Sequence, residues 1–185
     1  MPSLRPDPGL LEIAQGEWEG LHRDEVVARY PVELEAWRLR PAESQAPGGE
    51  PLTSADERVR ETLERTIAAL AQAVPGEGPD RTSVGGYPAG HGSDTPWALL
   101  VGHDGIFKVA VLAILGLPLD RFWAFPWGLT GISVVELVSG RAVLRAHNLT
   151  DHLGPLQAET SEPSTASAES RSEDEAAARE RTGSL

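Results

Sequence analysis

Three stretches of the chain carry residue types that could act on a ligand. The first is Leu99-Leu100-Val101-Gly102-His103-Asp104-Gly105-Ile106-Phe107-Lys108, where an apolar run meets a polar turn and a helical pattern begins at once. If the run is a buried strand, the His103 imidazole lies at the carboxyl edge of a sheet, where open α/β proteins bind ligands. The first N–H groups of the following helix then point at the same spot and favour an anion. A histidine there suits phosphate, as a donor or as a positive charge; the plainer reading is a structural histidine hydrogen-bonded within its turn. The second stretch is Ala46-Pro47-Gly48-Gly49-Glu50. Its two glycines permit positive φ and can bring a carboxylate close to a ligand. Glu50 serves as general acid or base if burial near a dianion raises its pKa above about 4.3; otherwise the stretch is a surface turn leading into a helix. The third, Leu10-Leu11-Glu12-Ile13-Ala14-Gln15-Gly16-Glu17-Trp18-Glu19-Gly20, mixes carboxylates with Ile13 and Trp18. It reads as an irregular packed segment, because nothing in the spacing fixes the carboxylates as a pair.

The elements that position these residues follow from periodicity. Thr53 or Ser54 can cap a helix, and Ser54 with Glu57 has capping-box spacing. Val59, Leu63, Ile67, Leu70 and Val74 continue at helical intervals until Pro75-Gly76. Residues 97–101 form a short continuous apolar run, the pattern of a buried strand. Residues 105–115 read as a buried helix closed by Gly116 and Pro118. Residues 132–138 and 142–146 read as strands joined by a Ser139-Gly140 hairpin turn. Glycine and proline crowd residues 75–96, which marks an irregular connection, and His91 within it is expected to face solvent. The sum is an α/β sheet with helices on its faces.

Composition narrows the function. The chain has 185 residues, enough for one domain, with 40% hydrophobic and 24% charged residues. A net charge of −12 opposes non-specific binding to nucleic acid or anionic lipid, so neither is expected as a partner. No apolar run approaches the roughly 18–20 residues of a membrane span. The chain has no cysteine, which removes disulfides and thiolate chemistry. The first residues lack the order of a signal peptide, and a cytoplasmic location is expected. After Leu153 the composition turns to Glu, Ser, Thr, Ala and Pro without an aromatic residue. Residues 1–153 are therefore read as the folded domain and residues 154–185 as a disordered acidic tail. His22-Arg23-Asp24 reads as the cap of a helix carrying Val26, Val27 and Tyr30. Asp151-His152 reads as surface rather than metal site, and neither a Gly-x-Ser-x-Gly elbow nor a P-loop occurs.

Taken in order, the chemical stretches resemble one family. Leu10-Leu11-Glu12-Ile13, Gly16-Glu17-Trp18-Glu19-Gly20, Tyr30-Pro31, Trp37, Pro47-Gly48-Gly49-Glu50 and Val101-Gly102-His103-Asp104-Gly105 are similar to successive motifs of the histidine phosphatase (phosphoglycerate-mutase-like) superfamily, in its broad-specificity and alpha-ribazole-type branch. The likeness continues through Phe122-Trp123 to His147-Asn148. It implies a three-layer α/β/α fold and hydrolysis of small phosphorylated metabolites through a phosphohistidine, with neither cofactor nor metal. Glu50 and His103 would be the catalytic pair: Glu50 protonates the leaving oxygen and later activates water, while His103 binds the transferring phosphoryl group. Asp104 and Gly105 would complete the phosphate site. Asp104 stands where the family has glycine; its carboxylate would either repel phosphate or turn aside to hold the His103 tautomer. The resemblance fixes neither the substrate nor an oligomeric state. Trp123, Phe125 and Trp127 either line the pocket mouth or pack in the core.

Two family motifs are absent from the sequence: the opening Arg-His-Gly, whose histidine is the nucleophile, and the later Ser-Pro-Leu-x-Arg-Ala. The expectation is a domain lacking the opening strand and first helix, and inactive as this chain. The alternatives are a non-catalytic relative that binds ligands or proteins, or a partner chain that supplies the missing segment.

Overall fold

Pro51 opens the longest helix, because its fixed φ suits a helix start and its ring removes an N–H that would otherwise lack an acceptor. In the computed structural model, which describes residues 4–73 and 96–154, the first helices are α1 (Arg23–Arg29) and α2 (Pro31–Leu39). They are followed by α3 (Leu52–Gln72) and α4 (Asp104–Leu115). Helix α3 begins two residues before the expected Ser54 cap, so Ser54 and Glu57 lie inside it. The buried Leu52 explains the earlier start, since the first turn already packs on the core. Tyr30 separates α1 from α2, and Pro31 occupies the first position of α2. At α1 the expected cap is realised by the backbone: the His22 N–H donates to Glu25 Oε2 at 2.9 Å.

Helix α4 forms where its apolar pattern predicts and ends as a Gly-capped helix should. Gly116 takes φ +67, and the Leu117 N–H reaches back to the Leu112 carbonyl at 2.9 Å. Helices α3 and α4 pack on each other. Leu52, Val59, Ile106, Val109 and Leu112 are essentially inaccessible there, each contributing about 1.5–3 kcal/mol by burial. Trp37 of α2, with Ile13, Trp18 and Phe122 of the less regular segments, extends the same core.

The sheet of the described residues has two antiparallel strands, β1 (Ile132–Val138) and β2 (Arg141–Leu149). Ser139 and Gly140 both have positive φ, the two-residue turn whose twist suits a hairpin. The expected second strand is longer than its apolar stretch, because β2 continues through His147 to Leu149 opposite Ile132. The expected strand at 97–101 is not observed. Among the described residues no strand pairs with it, and Leu99 and Val101 are each 72% exposed. An apolar run becomes a strand only when a neighbour accepts its backbone hydrogen bonds. Leu100 of this run packs against the core.

The chain divides into two units, Met1–Leu149 and Thr150–Leu185. The described part of the second holds a short 3-10 turn, Asp151–Leu153. The glycine-rich connection with His91 lies, up to residue 95, outside the described residues, as does the acidic segment from residue 155.

Candidate functional site

His103 is the N-cap of α4, with extended backbone (φ −116, ψ 167), and its carbonyl accepts the Phe107 N–H at 3.1 Å. Its ring is exposed. The first amides of the helix were expected to be free for an anion; in the structure an anion of the chain already holds two of them. Gly105 N–H donates to Glu12 Oε2 at 3.1 Å and Ile106 N–H to Glu12 Oε1 at 2.9 Å. The Ile13 N–H donates to the same Oε1 at 2.9 Å. Glu12 therefore caps a helix that begins more than ninety residues later, and the partial positive charge of the helix end attracts its carboxylate. The close approach needs a glycine, since a Cβ at Gly105 would stand 2.7 Å from Glu12 Oε1. Gly105 thus serves the cap, and the His103 ring stands exposed beside it.

The Asp104 carboxylate takes neither of the orientations expected of it. It turns along the helix to Lys108, one turn on, whose ammonium lies 2.5 Å from Asp104 Oδ2. The Lys108 side chain is buried and also faces the rings of Phe122 and Trp123, at 5.5 and 5.1 Å from their centroids. The pair neutralises a buried cation and takes the Asp104 charge away from the His103 turn.

Glu50 follows the turn that its glycines predict. Gly48 has φ +69, and Gly49 lies so close to the Ala14 carbonyl that a Cβ there would stand 2.7 Å from it. The Glu50 N–H donates to the Ala14 carbonyl at 2.8 Å, and the Ala14 N–H donates back to Glu50 Oε2 at 3.4 Å. The side chain is mostly buried and is gripped by Arg58 of α3: Nε donates to Oε1 at 2.7 Å and an Nη to Oε2 at 2.8 Å. The hydrogen bonds from Arg58 hold the Glu50 carboxyl below the usual carboxylate range, against burial, which pushes it up. The raised pKa on which the acid role was conditioned is therefore not present in this state, because the guanidinium outweighs the desolvation.

The first turn of α4, which follows His103, and Glu50 are both bonded to one segment, residues 12–14. Its Glu12 carboxylate holds the first turn of α4 beside His103, and its Ala14 peptide holds Glu50. Sequence reasoning missed Glu12 and Arg58 as parts of this arrangement. Glu12 stood within a stretch already singled out, but no local pattern signals a cap supplied from so far along the chain. Arg58 lies eight residues after Glu50, two turns into α3, and its partner sits before the helix starts, which helical spacing rules do not cover.

The aromatic residues beyond α4 pack on one another. Trp123 meets Trp37 edge-on at 6.0 Å and donates its Nε1 proton to the Trp37 carbonyl at 3.4 Å. Trp127 lies between Phe107 and His147, at 5.3 and 4.9 Å, and Phe125 also contacts His147. These contacts are those of a packed cluster beside α4. Among the described residues there is no grouping of three or more His, Cys, Asp or Glu side chains that could hold a metal. Nor is any described helix long and apolar enough to cross a membrane.

Comparison with known proteins decides the family. Residues 2–74 and 84–150 match the description "Histidine phosphatase superfamily (branch 1)". The chain belongs to the histidine phosphatase superfamily. Within it, the chain is 27% identical to phosphoserine phosphatase 1 of Hydrogenobacter thermophilus over 150 residues, which is 81% of this chain and 60% of that protein. Its fold is that of solved members. The alpha-ribazole phosphatase of Shigella flexneri superposes with a TM-score of 0.56 at 19% identity, over 77% of this chain and 59% of that one. A mycobacterial glucosyl-3-phosphoglycerate phosphatase gives 0.60 at 23% identity, over 78% and 64%. The chain thus spans about three fifths of the length of these relatives. The α/β architecture expected from the sequence is the phosphoglycerate-mutase-like fold of this superfamily.

Proposed function

We propose that the chain carries the acid–base and phosphoryl-binding half of a phosphomonoester hydrolase acting on small phosphorylated metabolites. The observation that carries the reading is the shared segment 12–14, which supports His103 through Glu12 and Glu50 through Ala14. In this reading the exposed His103 imidazole donates to the phosphoryl oxygens and stabilises the charge that develops on them in the transition state. Glu50 rests as a carboxylate. It is poised to take a proton from water in the hydrolytic half-reaction, and it acts as acid only once a phosphate dianion beside it raises its proton affinity. Asp104 contributes through its backbone, its carboxylate being committed to Lys108. Relatives named for phosphoserine, alpha-ribazole and glucosyl-3-phosphoglycerate support a small phosphate ester as the substrate class. By composition, residues 154–185 are assigned outside this domain.

The 185 residues contain no Arg-His dipeptide, so the nucleophile motif is not among them. We assign negligible turnover to the chain by itself, because neither a carboxylate nor an electrostatic donor replaces an in-line nucleophile. The test is hydrolysis of p-nitrophenyl phosphate by the purified chain and by His103→Ala. Turnover at background in both agrees with the proposal. Robust turnover by the chain that disappears in His103→Ala would make His103 the nucleophile and overturn the division of labour between Glu50 and His103.

A further inference from the structure

Arg58 has more bonds than a surface ion pair needs. Its guanidinium grips both Glu50 oxygens, at 2.7 and 2.8 Å, in the fork geometry that only arginine offers. The remaining N–H groups are themselves anchored. One Nη donates to the carbonyls of Gly9 at 2.9 Å and Leu11 at 2.8 Å, and the other reaches the Glu12 carbonyl at 3.4 Å. Arg58 thus spans from α3 to the segment that caps α4, and Glu50 is held against a cation that cannot swing away. Among the described residues, the groups bonded to the Glu50 carboxylate are Arg58 and the Ala14 N–H. The side chains of the ion pair are only 23% and 19% exposed, so water screens it little.

We propose that Arg58 is the positioning residue for Glu50, fixing the direction of its carboxylate and keeping it charged until substrate arrives. The proposal rests on the reading of Glu50 as the acid–base group. Arg58 would touch no substrate; it acts through Glu50, and the main-chain carbonyls of Gly9, Leu11 and Glu12 hold it in place. Lysine is not equivalent here: an ammonium offers a point charge without the fork, and it cannot serve Glu50 and the Gly9 and Leu11 carbonyls in one plane. The arrangement also orders the site's chemistry. Glu50 rests as the carboxylate, and before it can protonate a leaving oxygen it must take up a proton from solvent, which a phosphate dianion beside it favours by raising its proton affinity.

The test follows the Glu50 carboxyl by carbon-detected NMR titration in the full chain, in Arg58→Lys and in Arg58→Met, with folding checked on the same samples by amide dispersion. The Glu50 midpoint should move upward in Arg58→Met and by a smaller step in Arg58→Lys, with His103 resonances little changed. A merely structural arginine would lower stability and leave that midpoint where it is. An unchanged midpoint in a folded Arg58→Met or Arg58→Lys protein overturns the proposal. Should Arg58→Met fail to fold, the lysine variant and the reciprocal Glu50→Gln decide. Glu50→Gln should shift and broaden the Arg58 Nε–H resonance, and an unmoved resonance counts against the pairing. None of these readouts needs catalysis. A failure of the phosphatase reading therefore shows separately, as an absence of phosphate binding in a protein whose Glu50 still depends on Arg58.

Discussion

Replacing Glu12 by alanine removes the acceptor that closes the start of α4. The carboxylate satisfies two helix N–H groups, and one of them belongs to Ile106, which is fully buried. Loss of an ordinary N-cap costs about 0.5–2 kcal/mol, and a buried donor left without a partner about 1–3. Glu12 itself is exposed, so water can reach the Gly105 N–H and the lower part of the combined range applies. We expect Glu12→Ala to lose about 2 kcal/mol, and Glu12→Gln, which keeps one acceptor but no charge, about 1 kcal/mol. In thermal melts of a chain this size, 2 kcal/mol corresponds to a Tm lower by about 4–8 °C. Urea unfolding at neutral pH gives the free energies, and amide exchange at Gly105 and Ile106 should accelerate selectively. A loss below about 0.5 kcal/mol, the spread of neutral surface changes, would refute the long-range cap and with it the scaffold joining Glu50 to His103.

Two further outcomes follow from charges held in place. The folded pKa values of Glu50 and Asp7 both lie low. Arg58 lowers that of Glu50; at Asp7 burial pushes up, but bonds from Gly9 N–H, Arg65 and Thr62 outweigh it. Both groups therefore bind fewer protons folded than unfolded. Their stabilisation is complete above the unfolded carboxyl values, about 4, and is lost as the pH falls through the lowered folded ones. Urea unfolding across the acid range should show this loss, and Arg58→Met should remove the Glu50 share of it. Asp104→Ala leaves the buried Lys108 ammonium without its carboxylate. We expect a cost of about 1–2 kcal/mol by urea unfolding, below that of a fully buried pair because the Asp104 side chain is 52% exposed. No loss at all would show that the aromatic rings alone accommodate the cation.

Much of the fold was legible because its signals are local. Gly116 announced the end of α4, and Ser139-Gly140 announced the hairpin between β1 and β2. The start of α3 was misjudged because Ser54 and Glu57 offered a cap by spacing, whereas burial of Leu52 decided the matter. The run at 97–101 was misjudged for a related reason: its composition suits a strand, but pairing is a property of a neighbour and not of the run. The turns that carry His103 and Glu50 were legible from their flanking glycines. Their electrostatic setting was not. It depends on Glu12 and Arg58, whose partners lie across the fold or outside their own helix, and on Lys108, which draws Asp104 aside.

The central claim is that His103 and Glu50 belong to one phosphate site. Titration of the chain with inorganic phosphate, observed at the His103 ring and the Glu50 carboxyl by NMR, tests it most directly. Both signals should move along a single saturation curve, and His103→Ala should abolish the response at Glu50. Movement of one signal without the other, or an unaltered response at Glu50 in His103→Ala, would contradict the claim.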